Sequence, residues 1–302
     1  MTPLQRYIAE EIATDHLDGL LSRREALRRL GLLGIGAAAA TALIAACGES
    51  KRANPSTTPN AAPGTAPPQP PGLQGALPTT AVSWAGPGGE LQGAWAAAPE
   101  PKGAVLVIHE NKGLTDHIRS VAGRFAGIGY SALAIDLLSA QGGTAAFADP
   151  ANATAALSKV EPPQFIADLR SGIEELQRRA PGRRVAAVGF CMGGGLVWRL
   201  LAAGNPALAA AVPFYGPAPD DPDFGGSRDV AVLAFYGALD QRVNATEPVV
   251  RAALEKAGLV HELITEPDAN HAFFNDTGDR YDPAAAADAW RRIQGWFGTH
   301  LA

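Results

Sequence analysis

From residue 77 to residue 302 the sequence predicts an α/β fold, a mainly parallel twisted sheet with helices on both faces. Three observations predict it. Short apolar runs alternate with stretches of helical periodicity, the pattern of parallel strands joined by crossover helices. Some of those runs, such as residues 104–109, are continuously apolar, as strands buried on both faces are. A Gly-x-Cys-x-Gly turn, Gly189-Phe190-Cys191-Met192-Gly193, falls where one run ends and a helix begins.

Taken in order, residues 82–85 and 91–97 flank Gly86-Pro87-Gly88-Gly89 and read as a hairpin. Residues 104–109 form the first fully buried strand. Ile118, Val121, Ala122, Phe125 and Ile128 then keep helical spacing, and Gly129 ends that helix. Residues 131–135 are the next strand. Phe165, Ile166, Leu169, Ile173 and Leu176 make one face of a helix; residues 184–190 are a strand, and Leu196, Val197, Leu200 and Leu201 line the helix after it. Strands follow at 209–215 and 230–236, a helix at 249–257 and a strand at 259–265. A final helix at 284–297 turns Trp290, Ile293 and Trp296 or Phe297 inward. In such sheets chemistry gathers at the carboxyl ends of the strands.

The first 76 residues read differently. Residues 30–46 carry no charge and follow Arg23, Arg24, Arg28 and Arg29, the basic and apolar regions of an export signal. The pair Arg23-Arg24 after Ser22 resembles a twin-arginine signal, whose route carries folded cargo. Ile44-Ala45-Ala46-Cys47 looks like a bacterial lipobox, with Cys47 as the residue lipidated at the mature N-terminus. Residues 1–47 are therefore expected to be a lipoprotein signal segment, and the protein exported and membrane-anchored. An uncleaved span is the second reading, since the run is near the lower limit of roughly 17 residues, and a buried helix of a soluble fold is the third, ranked last because nothing polar breaks the run into two faces. Residues 1–21 are amphipathic and mixed in charge and are assigned no function beyond an extended n-region. Residues 48–76, rich in Pro, Ala, Thr and Gly, are expected to be a disordered spacer.

Composition narrows the function by exclusion. A formal charge of -5 carries no nucleic-acid footprint, and two cysteines are too few for a disulfide framework. No His/Cys cluster has metal-ligand spacing, no phosphate-binding Gly-rich loop appears, and no cofactor is implied. Oligomeric state is not legible. Phe147, Phe165, Trp198, Phe214 and Tyr215 fit a core better than a pocket lining.

The chemistry centres on Cys191. A strand–turn–helix elbow lifts this residue clear of the sheet at a helix N-terminus, where partial positive charge favours a thiolate. The Met192 backbone N–H then points where an oxyanion would form. A nucleophile of this kind needs a base and an acid that orients it. Asp240 follows the strand at 230–236 and His271 the strand at 259–265, so both lie at the carboxyl edge in the order nucleophile, acid, histidine.

The elbow Gly-Phe-Cys-Met-Gly-Gly, the Gly237-x-x-Asp240 turn and His271-Ala272-Phe273-Phe274-Asn275-Asp276 with Tyr281-Asp282-Pro283 resemble the dienelactone hydrolase family. His109-Glu110-Asn111 does so too. The resemblance spans roughly residues 82–301 and implies an α/β-hydrolase fold. It also implies that a glutamate at the Glu110 position contacts the resting cysteine and yields it to the histidine. Asn111 would then give the second oxyanion N–H. His109 is expected to be structural. The family's carboxylate-binding arginine four residues after the histidine is replaced by Asn275, and residues 136–168 contain no Arg, so the machinery carries over without the named substrate. The expected activity is hydrolysis of a small ester or lactone through a cysteine thioester. The alternatives are an acyltransferase or broad carboxylesterase with the same triad, or a non-catalytic tethered binding protein.

Overall fold

The computed structural model describes residues 1–53, 69–205 and 207–301. Three helices come first: α1 (Pro3–Leu17), α2 (Arg23–Leu32) and α3 (Ala37–Ala53). Then follow β1 (Thr80–Gly86), β2 (Gly89–Ala96), β3 (Gly103–Ile108), α4 (Asp116–Gly127), β4 (Tyr130–Asp136), α5 (Pro150–Leu157), α6 (Pro162–Arg179) and β5 (Val185–Phe190). The chain ends with α7 (Met192–Ala202), β6 (Leu208–Phe214), β7 (Ala231–Gly237), α8 (Gln241–Asn244), α9 (Glu247–Ala257), β8 (His261–Glu266) and α10 (Pro283–His300).

The strands form one eight-stranded sheet in the order β1-β2-β4-β3-β5-β6-β7-β8. The β1–β2 hairpin adds antiparallel to β4, and every other pairing is parallel. Strands β3, β4, β5, β6 and β7 are buried along their whole length, because helices cover both of their faces. On one face α4 meets α10 through Phe125, whose ring lies 5.0 Å from Trp290 and 5.8 Å from Phe297. Right-handed crossovers place α6 and α7 on the opposite face. The expected elements are thus present, with ends within about three residues of their sequence positions, a normal scatter for boundaries. Of the aromatic residues expected in the core, Phe165, Trp198, Phe214 and Tyr215 are buried, whereas Phe147 is only partly buried and packs against the core.

The N-terminal region departs from a plain leader. Residues 30–46 are not one continuous helix: α2 stops at Leu32, Gly34 turns the chain at φ 81°, and α3 starts at Ala37. No helix among the described residues is long and apolar enough to cross a membrane. Arg28 and Arg29 both pair with Glu25, and Arg28 also reaches Asp149 beside α5. Much of the 48–76 spacer, residues 54–68, lies outside the described residues. Its last part joins the domain: Leu73–Gly75 form a 3-10 turn, and the Leu77 N–H bonds the Gly123 carbonyl at 2.9 Å.

Candidate active site

Cys191 leaves β5 and caps α7 with φ 54° and ψ -117°, a left-handed conformation that a side chain tolerates only at a cost. The glycines two residues away on either side permit the turn. A Cβ on Gly189 would sit 2.1 Å from the Gly193 carbonyl, and one on Gly193 would sit 2.3 Å from the Ile108 carbonyl. Backbone thus packs where side chains would stand, and the thiol is left at the carboxyl edge of the sheet. The Met192 backbone N–H acts to lower the thiol's pKa. One sequence expectation fails here: the thiol is not biased towards thiolate. Burial pushes its pKa well above the usual value, and the carboxylates of Glu11 and Glu110 push the same way, so the helix N-terminus is outweighed.

His271 and Asp240 meet as expected. The His271 Nδ1 lies 2.6 Å from the Asp240 Oδ2, and both residues are buried. Asp240 caps α8 through Val243, which fixes its carboxylate. The His271 ring stands edge-on to Tyr215, with centroids 5.2 Å apart. Burial disfavours both charges, yet the pair's mutual attraction prevails: His271 is raised and Asp240 lowered, with Glu11 adding to the histidine's shift. The other nitrogen, Nε2, has no hydrogen-bond partner among the described residues. It faces the space in which the thiol lies, the donor atoms of Cys191, His271 and Glu11 all falling within 4.8 Å of one another.

Glu110 and Asn111 follow β3 on the same edge. His109 is structural: its Nε2 accepts the Leu137 N–H at 3.1 Å, which leaves Nδ1–H to donate to the Glu110 carbonyl at 2.6 Å. The Glu110 side chain does not make the contact that the resemblance implied. Its Oε2 accepts from the Asn275 amide at 2.7 Å, and its Oε1 has no hydrogen-bond partner. Asn275, where the family pattern would have an arginine, thus holds the glutamate aside. The Asn111 carbonyl accepts from Thr154 of α5 at 2.9 Å, which steadies the loop carrying its N–H.

The contact with the thiol comes from α1, a segment to which the sequence reading gave no function. The Glu11 carboxylate oxygens lie 3.5 and 3.6 Å from the Cys191 Sγ, and Oε1 lies 3.9 Å from the His271 Nε2. The Tyr7 hydroxyl lies 3.3 Å from the same sulfur. Two guanidiniums hold the helix from the domain side. Arg242 stacks on the Tyr7 ring at 4.3 Å, and Arg280 bonds Asp15 at 2.7 Å and Asp18 at 2.5 Å. Nothing local in the sequence marks Tyr7 or Glu11, which are 184 and 180 residues from Cys191. Glu11, Cys191 and His271 also bring a carboxylate, a sulfur and an imidazole within 4.8 Å of one another, a grouping that the spacing of residues along the chain does not reveal. Cys47 stands apart on α3, half-buried, its thiol raised chiefly by burial.

The model of the dienelactone hydrolase family matches residues 92–301, more than half of the chain. The chain belongs to the dienelactone hydrolase family. A relative named "Putative carboxymethylenebutenolidase" from Escherichia coli O157:H7 is 36% identical over 209 residues, covering 65% of this chain and 77% of its own length. Among solved structures, a "Putative Dienelactone Hydrolase" from Klebsiella pneumoniae superposes with a TM-score of 0.65 at 31% identity, covering 73% of this chain and 99% of that one. A dienelactone hydrolase from Anabaena variabilis, 21% identical, shares the fold with a TM-score of 0.57 over 74% of this chain and 98% of its own. The family span holds the elbow, Asp240 and His271. It begins after α1, so the helix over the thiol lies outside the part matched to the dienelactone hydrolase family.

Proposed function

We propose that this hydrolase cleaves a small ester or lactone in two steps at Cys191. The observation that carries the reading is the buried Asp240–His271 pair, whose unpartnered Nε2 shares the carboxyl edge of the sheet with the elbow thiol. In the first step the thiol proton passes to His271 Nε2 and the sulfur bonds to the carbonyl carbon. The oxyanion is held by the N–H groups of Met192 and Asn111. Collapse breaks the carbon–oxygen bond, the leaving alkoxide takes the proton from His271, and a thioester remains. Water then attacks, His271 receives its proton and returns it to sulfur, and the carboxylic acid leaves. Asp240 holds the imidazole in the tautomer that keeps Nε2 free and stabilises its charged form. Glu110, held by Asn275 on the same edge, adds negative charge that keeps the resting thiol protonated until substrate arrives.

The same reading takes the protein to be exported through the twin-arginine route and anchored by a lipid on Cys47, on the motif at Arg23-Arg24 and residues 44–47. Incorporation of labelled palmitate that Cys47→Ser abolishes is the expected result, and equal incorporation by both would refute the anchor. For the chemistry, Cys191→Ala should abolish aryl-ester hydrolysis while leaving the fold intact by circular dichroism. Full activity in that variant would remove Cys191 from the reaction.

A further inference from the structure

Three features of α1 bear on how the thiol becomes accessible. Its inner face is apolar and packed, with Tyr7, Ile8, Ala9, Ile12 and Ala13 all buried. Its carboxylate at Glu11 occupies the space between sulfur and imidazole that an acyl carbonyl would have to enter. Its outer acids, Asp15 and Asp18, are clasped by Arg280 of the domain. Together they leave Cys191 2% and His271 4% exposed. What remains beside the thiol is a cavity of about 260 Å³ walled on one side by α1 itself, through Glu11, Ile12 and Asp15.

A carboxylate against the sulfur and near the imidazole is the arrangement of a hydrolysis product before it leaves. From this geometry we infer that α1 is an inhibitory segment acting in cis: Glu11 sits in the acyl site as a pseudo-product and keeps Cys191 unreactive until the helix departs. The inference rests on the hydrolase reading above and adds its control. The thiol's side-chain contacts go to Tyr7 and Glu11 rather than to His271, whose Nε2 has no hydrogen-bond partner among the described residues. The docking is also poised to reverse. Burial penalises the Glu11 carboxylate and the neighbouring Asp15 carboxylate adds to that penalty, against the favourable charges of His271 and Arg242.

Removal of residues 1–46 by cleavage before Cys47 would complete the device. While α1 is covalently tethered, its effective concentration at the site is of millimolar order; as a free peptide it falls to the concentration of the protein. A protein that folds before export would then cross the membrane with its thiol covered and be uncovered only on arrival.

The test uses the full chain. Ile8→Asp combined with Ile12→Asp breaks the apolar seat of α1 and leaves Cys191, His271, Asp240 and Glu110 untouched. Alkylation by iodoacetamide, located at the Cys191 peptide by mass spectrometry, and hydrolysis of p-nitrophenyl acetate should both rise at least about tenfold. A synthetic peptide of residues 2–20 added in trans should reverse both, and the same peptide with Glu11→Gln should do so less well. Should the double variant misfold, a protease site placed after Ala46 in the otherwise unchanged chain gives the same readouts before and after cutting and gel filtration. Hydrolysis that is equal in the parent and released forms, or lower once α1 is gone, overturns the inference and leaves the hydrolase reading standing. Faster alkylation without any hydrolysis does the reverse: α1 covers the thiol, and the ester-hydrolase reading fails.

Discussion

At the scale of single residues, the proposed mechanism makes the Asp240–His271 pair the control on whether Cys191 can react. Asp240 is held below its usual range, so its contribution to stability is full above about pH 4 and fades as pH falls further. His271 is raised, so its contribution is present at low pH and fades as pH climbs through that raised value. Acylation needs Nε2 as a free base, so kcat/KM should rise with pH along a limb lying above the ordinary histidine range of about 6.5. In Asp240→Asn, with α1 released, that limb should move to lower pH and the plateau fall on the order of 10²–10⁴-fold. A pH–rate profile with an unmoved limb would mean that Asp240 does not set the state of His271. A second residue-scale prediction concerns Asp276, five residues beyond the histidine. It bonds His117 at 2.6 Å and the buried Arg124 at 2.7 Å, and although burial works against its charge these partners hold its pKa down at about 2. Asp276→Asn strands the Arg124 guanidinium in the core and should cost about 3–5 kcal/mol in urea titrations.

At the scale of elements, the elbow and β8 carry distinct risks. Gly189→Ala would drive a methyl into the backbone of Gly193, which no rotamer can relieve, so the turn must shift. A loss of about 1–3 kcal/mol is expected, with alkylation of the released thiol altered as well. At the end of β8, Glu266 is buried beside Asp288, and burial with that charge pushes its pKa up to about 7. The folded state therefore holds this proton longer than the unfolded chain, and stability declines as pH rises from about 4 to about 7. Glu266→Gln should flatten that slope and raise the melting temperature at pH 8. The nearby Arg291 and Arg292 screen the charge, which limits the gain to about 1 kcal/mol, or roughly 2–4 °C.

Element type is largely readable because the central strands are buried on both faces: runs such as Val105, Leu106, Val107 and Ile108 have no polar alternation to confuse them. Helix α5 has no clear signature in the sequence. Its eight residues, half of them Ala, carry little periodicity, and its place is set by its partners, Thr154 reaching Asn111 and Asp149 reaching Arg28. The order Cys191, Asp240, His271 was legible because each follows a strand on the same edge. Glu11 was not, since its meaning depends on where α1 docks and no local pattern encodes a contact across 180 residues. The same holds for Arg242 and Arg280, which look like ordinary surface charges until Tyr7, Asp15 and Asp18 are set against them.

At the scale of the whole molecule, a family hydrolase domain is combined with an N-terminal helical segment that reaches its reactive edge. The domain brings the thiol, the imidazole and the carboxylate to one rim; the segment fills the space between the first two. The measurement that bears most directly on the chemistry is intact-mass trapping of the acyl-enzyme. Protein released from α1 is mixed with p-nitrophenyl acetate, quenched in acid within the first turnover and digested. One acetyl group on the peptide carrying Cys191, lost on neutral incubation and absent from Cys191→Ala, is the predicted result. An acetyl group found on another residue, or turnover with Cys191 never acylated, would contradict the account.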